Sequence, residues 1–271
     1  DVFRELAPKA PELTAFDKTT RNKWIWASST VESVGWVKRP CYRLIFKDGT
    51  EIVASAEHKW LAGAEQARHW RTTEELRPQL GGRAGSLVMR LVNVWEEDRS
   101  FEAGYLAGFF DGEGYLTQKP LQRGGWNTKL GASQNPGPTL DHVKQLLWSK
   151  GFDFTESHSG HGCRHLWVAT QASIIEFLGS IRPPRLVAKF IPEAFGLIHA
   201  KNNAKLVARD FLGLRDVVGF KTSTGTFIAE GLASHNSDEA AFQPEFGAAF
   251  GAAGPAVMGG GQLIAVSSAE L

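Results

Sequence analysis

The chain has 271 residues and a net charge of +1, and 42% of its residues are hydrophobic, including 9 Trp and 17 Phe. This apolar content excludes a disordered chain, and the length suits two compact units or one unit interrupted by another. The low net charge excludes a globally basic surface, and the isolated positions of Cys41 and Cys163 exclude a disulfide framework. The sequence has no apolar run long enough for a membrane span. We therefore expect a cytoplasmic protein with no membrane partner.

The first hundred residues are dominated by β patterns. Residues 24–60 alternate apolar and polar positions, and Asp48-Gly49 is typical of a hairpin turn. Residues 71–79 start with threonines and acidic residues, which predicts a short helix, and residues 87–95 predict another strand.

The middle of the chain has helical periodicity. Helices are predicted from residue 101 to a Gly-acid-Gly end near 114, and over 139–152, 171–181 and 186–200, with strand-like segments at 129–134 and 165–170. Alternation returns over residues 205–234. The pattern predicts one β unit whose two halves flank an inserted α+β unit.

The sequence His235-Asn236-Ser237 contains the parts of a self-cleavage reaction. An Asn side-chain amide can attack its own backbone carbonyl, which forms a succinimide and cuts the chain after itself. A neighbouring His can polarise that carbonyl and protonate the leaving nitrogen, and a hydroxyl on the next residue can first accept an acyl group. The alternative is an ordinary surface turn.

Two segments resemble inteins, which are self-excising protein-splicing elements. TFIAEGLASHNS (226–237) resembles their C-terminal splice junction, and EIVASAEHKWLA (51–62) resembles the segment in which a hydroxyl residue precedes a His by three positions. The resemblance implies that His58 protonates the scissile amide nitrogen of the upstream junction and that Ser55, where Thr is commoner, hydrogen-bonds near it. The alternative for His58 is a satisfied histidine in a β core.

Inteins of this type begin with a Cys or Ser nucleophile, whereas this chain begins with Asp1, a poor substitute in an acyl shift. We therefore expect the first intein segment to lie upstream, so that this chain performs C-terminal cleavage but not complete splicing.

LAGFFDGEG (106–114) resembles the motif that names the LAGLIDADG homing endonucleases. Small residues such as Ala107 and Gly108 let two such helices pack closely, and the resemblance implies that Glu113 is a metal carboxylate and that Asp111 supports or shares the site. Paired Mg²⁺ ions at such carboxylates cut double-stranded DNA. The alternative is a helix end with glycines.

Further residues follow from the same resemblance. Gln134 matches a catalytic-site Gln, and Lys189, with Arg185 second, matches a supporting Lys. DNA contacts would come from basic residues on or beside the strands, although a solvated sheet face accounts for them equally well: Lys119, Arg123, Lys129 and Arg164. Because only one such motif is visible, we expect a homodimer through the helix of residues 106–114.

The C-terminal segment resembles the ATPase of phage terminase large subunits. Asp238 and Glu239 would be its acidic Mg²⁺-holding pair, and residues 262–269 would be the strand that ends in its coupling segment. No phosphate-binding loop sequence is present, and an acidic pair capping a helix is the alternative. Ser237 would then be the first residue of a covalently attached host protein encoded by a phage or bacterium.

We therefore predict a mostly β Hint-type splicing fold interrupted by an α+β domain with αββαββα-like order. The predicted boundaries are 1–96 and 205–236 for the splicing domain, 97–204 for the endonuclease and 237–271 for the host segment. The predicted function is autocleavage by Asn cyclisation combined with metal-dependent DNA cutting. The rivals are a freestanding endonuclease or DNA-binding protein, and a decayed, inactive intein.

Overall fold

A computed structural model of the protein describes residues 12–20, 23–65, 67–121, 126–158, 162–198 and 203–236. These residues form two compact units. We call the one formed by the described residues up to Leu91 and from Ile198 onward the strand-rich unit, and the one formed by Val92–Leu197 the mixed unit. The predicted host segment, with Ser237, Asp238 and Glu239, lies outside the described residues.

The strands and helices of the described residues have the following bounds. The strands are β1 (Glu12–Lys18), β2 (Trp24–Phe46), β3 (Glu51–Ser55), β4 (Lys59–Ala62), β5 (His69–Thr72), β6 (Leu87–Met89), β7 (Gly114–Pro120), β8 (Trp126–Gln134), β9 (Phe154–His158), β10 (Arg164–Val168), β11 (Asn203–Thr222), β12 (Thr226–Ala229) and β13 (Leu232–His235). The helices are α1 (Phe101–Glu113), α2 (Pro138–Ser149), α3 (Gln171–Ser180) and α4 (Pro184–Val187), followed by a 3₁₀ helix (Pro192–Phe195). The architecture is mostly β.

The strand-rich unit is one antiparallel sheet in the order β1-β2-β11-β6-β4-β13-β12, with β3 beside β2 and β5 beside β4. Its longest strands, β2 and β11, pair with each other from Leu206 opposite Phe46 to Thr222 opposite Val31. Three register shifts in β11 let this long pair bend, because a bulge adds a residue to one strand and increases its local twist. The last of these shifts lies at Thr222, where β11 turns into β12.

The core of the strand-rich unit lies where the β2 and β11 pair meets β4 and β13. The inward positions of these alternating strands carry large side chains that are almost fully buried, namely Leu44, Phe46, Trp60, Leu206 and Leu232, and Leu76 from the segment after β5 joins them. Burying each such side chain contributes about 1.5–3 kcal/mol. The core therefore fixes the positions of β4 and β13, the two strands that carry the junction residues.

The predicted helix over residues 71–79 is wrong. Thr72 Oγ1 accepts from Glu75 N at 3.3 Å, and Glu75 Oε2 accepts from Thr72 N at 2.8 Å, so the expected cap is present but closes a single turn. Residues up to Thr72 are held as β5 against β4, and Arg209 Nη1 donates to the carbonyl oxygens of Thr73 and Leu76. The carbonyls that a longer helix would use are therefore already bonded to another strand.

The predicted strand over residues 87–95 is also too long. β6 ends at Met89, because its short pairing with β11 stops at Asn203. Arg90 then forms an isolated bridge with Leu232 and an ion pair of 2.7 Å with Asp48.

The mixed unit is a four-stranded antiparallel sheet, in the order β7-β8-β10-β9, with helices against one face. Helix, two strands, helix, two strands and helix follow one another along the chain. The helical stretch predicted over residues 186–200 is broken into α4 and the 3₁₀ helix, since Pro192 supplies no backbone N–H and restricts the residue before it. None of the helices in the described ranges is long and apolar enough to cross a membrane.

Candidate functional site

The β12–β13 hairpin carries the chain to Asn236. Its two turn residues, Glu230 and Gly231, have φ of 47° and 73°, the left-handed pair that a two-residue hairpin turn requires. β13 then runs between β12 and β4, with His235 opposite Thr226 on one side and Lys59 on the other. The predicted junction therefore begins at the end of a strand that is paired on both sides.

Asn236 is buried, with 6% of its surface exposed. Its backbone N donates to Gly225 O at 2.9 Å, and its side-chain Nδ2 donates to Thr222 O at 3.0 Å. Its Oδ1 accepts from Thr222 Oγ1 at 2.9 Å. The amide orientation is assigned from this network, because the flipped amide would face one carbonyl oxygen with another. The turn between β11 and β12 thus holds both the backbone and the side chain of Asn236.

His235 contacts the carbonyl at which cleavage would occur. Its Nδ1 lies 3.0 Å from the backbone oxygen of Asn236, and because a carbonyl oxygen only accepts, Nδ1 is the donor. The ring makes an edge contact with Trp70, with centroids 4.9 Å apart. Gly225, at φ 75°, lies close to the same ring, since a Cβ there would be 3.6 Å from His235 Nε2. The donated hydrogen bond polarises the carbonyl of Asn236.

His58 lies one residue before β4 and beside this site. Its ring centroid is 4.4 Å from that of Trp60 and 5.7 Å from that of Phe227, and its Nε2 is buried with no hydrogen-bond partner among the described residues. Burial, and secondarily the nearby charge of His235, lowers the pKa of His58 to about 4. The ring is therefore neutral at neutral pH, and a buried ring nitrogen without a partner is costly unless another group reaches it.

Ser55 and His58 lie at the two ends of one turn. Ser55 ends β3 opposite Cys41, and its carbonyl accepts from His58 N at 3.1 Å. The spacing of three residues is thus the span of the turn between β3 and β4. Cys41 is fully buried in β2, and burial raises the pKa of its thiol, so it is not placed as a reactive group.

Three neighbours of the junction were missed by the sequence analysis: Thr222, Gly225 and Trp70. The hydroxyl-rich run at residues 222–226, which leads into β12, is a sequence signal that could have pointed to Thr222 and Gly225. Trp70 is one of many tryptophans, and only the pairing of β5 with β4 brings it to His235.

The second predicted site is the end of α1 in the mixed unit. Ser100 caps the N-terminus of α1, because its Oγ accepts from Ala103 N at 3.2 Å. The helix buries Leu106 and Phe110. Gly104, Gly108 and Gly112 recur every four residues on another face, and a Cβ added at any of them meets nothing within 4 Å among the described residues. Glu113 ends the helix, exposed to solvent.

Asp111 is engaged at this helix end by Arg185. Asp111 Oδ1 accepts from Arg185 N at 3.0 Å, and the Arg185 guanidinium donates to the backbone oxygens of Asp111 at 2.6 Å and Gly114 at 2.7 Å. Arg185 therefore caps the carbonyls that the helix leaves open. The role of Asp111 at a metal site stays a prediction.

The remaining predicted residues of this site are spread over one end of the unit. β7 and β8 pair Gly114 with Ala132, so Glu113 and Gln134 lie at the same end of the sheet. Gln134 Oε1 accepts locally from Asn135 N at 2.8 Å, and Lys189 is exposed just after α4. Within the described ranges no three His, Cys, Asp or Glu residues lie close enough together to hold a metal.

The predicted basic residues divide between the two faces of this sheet. Lys119 and Lys129 share the face away from the helices, and Lys129 Nζ lies 4.9 Å from the centroid of Trp167. Arg164 pairs with Gln134 on the helix side and contacts Glu156 at 3.6 Å. Arg123 lies outside the described residues. The face away from the helices is thus basic and aromatic, without Arg164.

No protein-family model matches the chain, and a comparison with curated proteins gives no match. Solved structures similar to it include the crystal structure of the Ssp DnaB mini-intein variant M86, at 11% identity and a TM-score of 0.34, covering 90% of this chain and 85% of that one. A G-1F mutant of the same mini-intein is 12% identical, with a TM-score of 0.36 and 87% of each chain covered. At these values the likeness carries no conclusion about function.

Proposed function

We propose that the strand-rich unit is an intein-type splicing domain that cuts the chain after Asn236 by cyclisation of the Asn236 side chain. The observation that carries the proposal is the pair of contacts at one residue: the Asn236 carbonyl accepts a hydrogen bond from His235, and the Asn236 amide is held in a buried site. The two contacts hold the attacking amide nitrogen and the carbonyl that it attacks, which belong to the same residue. Such fixing accounts for much of the acceleration of an intramolecular reaction.

The proposed cyclisation step needs no cofactor. Asn236 Nδ2 attacks the Asn236 carbonyl carbon, so one C–N bond forms in the succinimide ring and the bond to the nitrogen of Ser237 breaks. One proton leaves Nδ2, and one reaches the leaving nitrogen, which departs as a free amine. His235 Nδ1–H lies on the oxygen where negative charge develops, and a His is suited to carry a proton to the leaving nitrogen.

The upstream half of the reaction is proposed for His58, Ser55 and Ser237. The unpartnered Nε2 of His58 would bond to the peptide group of the upstream junction, with the hydroxyl of Ser55 near it, and Ser237 would accept the acyl group. Because the pKa of His58 is about 4, its neutral ring would act by hydrogen bonding over most of the pH range. Full proton donation would need acidic conditions.

Mass spectrometry of the purified full chain tests the C-terminal reaction. The chain is incubated over hours to days beside Asn236→Ala, with Asn127→Ala, an exposed asparagine in the mixed unit, as the matched control. We expect release of a fragment that starts at Ser237, together with an upstream fragment one water lighter than the hydrolysed acid. Asn236→Ala should abolish both, and Asn127→Ala should not.

A chain that stays intact under these conditions contradicts cleavage by this unit and favours the decayed element. Release at the same bond in Asn236→Ala would also contradict the mechanism, because cyclisation needs the side-chain amide.

A second function, a homing endonuclease in the mixed unit, is favoured by the open glycine face of α1 and by the exposed Glu113 at its end. Two copies packed through Gly104, Gly108 and Gly112 would bring two Glu113 carboxylates together. The basic and aromatic sheet face with Lys129 and Trp167 would then contact double-stranded DNA.

The carboxylates of one copy fit half of a metal site. Mg²⁺ prefers oxygen ligands, and Glu113 supplies a free carboxylate, whereas one oxygen of Asp111 already accepts from Arg185. Bound Mg²⁺ at such a site would activate water and stabilise the leaving oxygen of a phosphodiester. Gln134 and Lys189 would orient the water and the phosphate, and Glu113 would need its counterpart from the second copy.

Sedimentation of Gly108→Leu beside the unchanged chain tests the homodimer. Gly151→Leu is not a suitable control, because Gly151 has a positive φ of 80° that strains any side chain. The matched control is Gln145→Leu, which places the same side chain at an exposed position of α2. We expect Gly108→Leu to shift the chain from dimer to monomer. A monomer in the unchanged chain, with no Mg²⁺-dependent nicking of duplex DNA that Glu113→Gln removes, would contradict this function.

A further inference from the structure

Thr222 forms hydrogen bonds with the side chain of Asn236 through two separate atoms. Its backbone oxygen accepts from Asn236 Nδ2 at 3.0 Å, and its Oγ1 lies 2.9 Å from Asn236 Oδ1. We infer that Thr222 is a positioning residue for cyclisation, which aims the nucleophilic nitrogen and stabilises the charge that forms on the amide. The inference rests on the function proposed for Asn236.

The Thr222 hydroxyl is buried and has two acceptors within reach. Only 2% of the surface of Thr222 is exposed, and Oγ1 lies 3.0 Å from Thr226 O as well as 2.9 Å from Asn236 Oδ1. A hydroxyl has one proton, so it donates to one of these oxygens at a time. Rotation about the Cβ–Oγ1 bond of Thr222 can therefore redirect its hydroxyl hydrogen from Thr226 O to Asn236 Oδ1, without any movement of the backbone.

The chemistry requires a donor at Asn236 Oδ1. When Nδ2 attacks and gives up a proton, the amide passes through a form with negative charge shared by Oδ1. A buried hydroxyl donor stabilises that charge more than it stabilises the neutral amide, since hydrogen bonds to charged groups are about twice as strong as neutral ones. The Thr222 carbonyl meanwhile restrains Nδ2, so that the amide does not rotate away from the carbonyl of Asn236.

The test compares two variants of the full chain. Thr222→Val keeps the shape and the backbone oxygen but removes the hydroxyl, and Thr222→Ser keeps the hydroxyl. We expect Thr222→Val to slow release of the fragment that starts at Ser237 by about 10- to 100-fold, the cost of losing a hydrogen bond to a charged group. Thr222→Ser should remain within about threefold of the unchanged chain, on the same principle.

Ser29→Ala is the matched control for a loss of stability. Ser29 is equally buried, and its hydroxyl bonds to Ser223 and Thr224 in the same turn but does not touch Asn236. We expect Ser29→Ala to lower the melting temperature as much as Thr222→Val does and to leave the cleavage rate unchanged. Circular dichroism of all three variants shows whether each one folds.

The outcomes separate the two levels of the proposal. If the unchanged chain cleaves and Thr222→Val cleaves equally fast, or if Thr222→Ser is as slow as Thr222→Val, the role of Thr222 is overturned and Asn cyclisation stands. If the unchanged chain releases nothing while all variants fold, the proposed function is overturned and the role of Thr222 with it. A slow, folded Thr222→Val beside a fast Ser29→Ala supports the inference.

Discussion

The two candidate sites differ in how much of each one the chain itself supplies. At the end of β13, Asn236 is buried and every polar atom of its side chain is bonded to Thr222. At the end of α1, Glu113 is exposed, and the glycines that lead to it face open space. At the first site the described residues bond both polar atoms of the Asn236 side chain, and at the second they leave the Glu113 carboxylate exposed.

This difference fits the two proposed reactions. A reaction on the chain's own backbone needs no access from solvent, and burial strengthens the hydrogen bonds that position it. A reaction on another molecule needs an open surface, and a site with one carboxylate needs a second copy. Substitutions at the two sites should therefore have separate effects: Glu113→Gln should leave release of the Ser237 fragment unchanged.

The largest expected effect tests the buried site. Replacing His235 with Gln or Ala removes the imidazole, whose Nδ1 donates to the Asn236 carbonyl and which would carry the proton to the leaving nitrogen. General acid catalysis of this kind contributes about 10²–10⁴-fold, so we expect the first-order rate of release to fall by about 10²–10³-fold. Quantitative mass spectrometry over time measures it.

The matched control for His235 is His142→Gln, an exposed histidine of the mixed unit that packs against Tyr105. It should leave the rate unchanged. Equal rates in His235→Gln and the unchanged chain would mean that the contact at 3.0 Å plays no part in cleavage.

The next effect comes from His58, whose pKa of about 4 makes the strand-rich unit sensitive to acid. The pKa in the fold is below the unfolded value of about 6.5, so its stabilising contribution is complete above pH 6.5 and is lost as pH falls towards 4. The loss amounts to about 3 kcal/mol between pH 7.5 and pH 4. His58→Gln should lose correspondingly less free energy of unfolding over that range in urea titrations.

Nuclear magnetic resonance titration of His58 gives a direct reading. Burial is the main cause of the low pKa and the charge of His235 the second, so His235→Gln should raise the pKa of His58 by only part of the shift. A His58 resonance that titrates near 6.5 in the unchanged chain would contradict the burial of its Nε2.

Much of the secondary structure follows from the sequence because it depends on local patterns. The alternation in residues 24–60 and the Asp48-Gly49 turn correspond to β2, β3 and β4, and α1, α2 and α3 lie where apolar spacing predicts them. The false helix at residues 71–79 shows the limit of such patterns: its cap exists, but β5 and Arg209 bind the chain on either side of it. Partners this distant in sequence leave no local signal.

The same distinction applies to the candidate sites. His235 and Asn236 are adjacent in sequence, and Ser55 and His58 are separated by one turn, so short motifs suffice to find them. Thr222 reaches Asn236 only because β11, β12 and β13 fold back on one another. The roles assigned to the residues of both sites stay predictions, and those of Glu113, Gln134 and Lys189 also depend on a second molecule.

The smallest expected effect separates the two sites by sign. Gly225 has φ 75°, a backbone conformation that is strained for any residue with a Cβ, so Gly225→Ala should destabilise the strand-rich unit by about 1 kcal/mol. Gly108 lies inside α1 with open space around it, so Gly108→Ala should stabilise the monomeric mixed unit by about 0.5–1 kcal/mol. If α1 is a dimer interface, the added methyl groups would hold the two helices apart, and the gain should vanish or reverse as protein concentration rises. Thermal melts of both variants over a hundredfold range of concentration measure this. A gain for Gly108→Ala that is independent of concentration would mean that the open face of α1 has no second copy to meet.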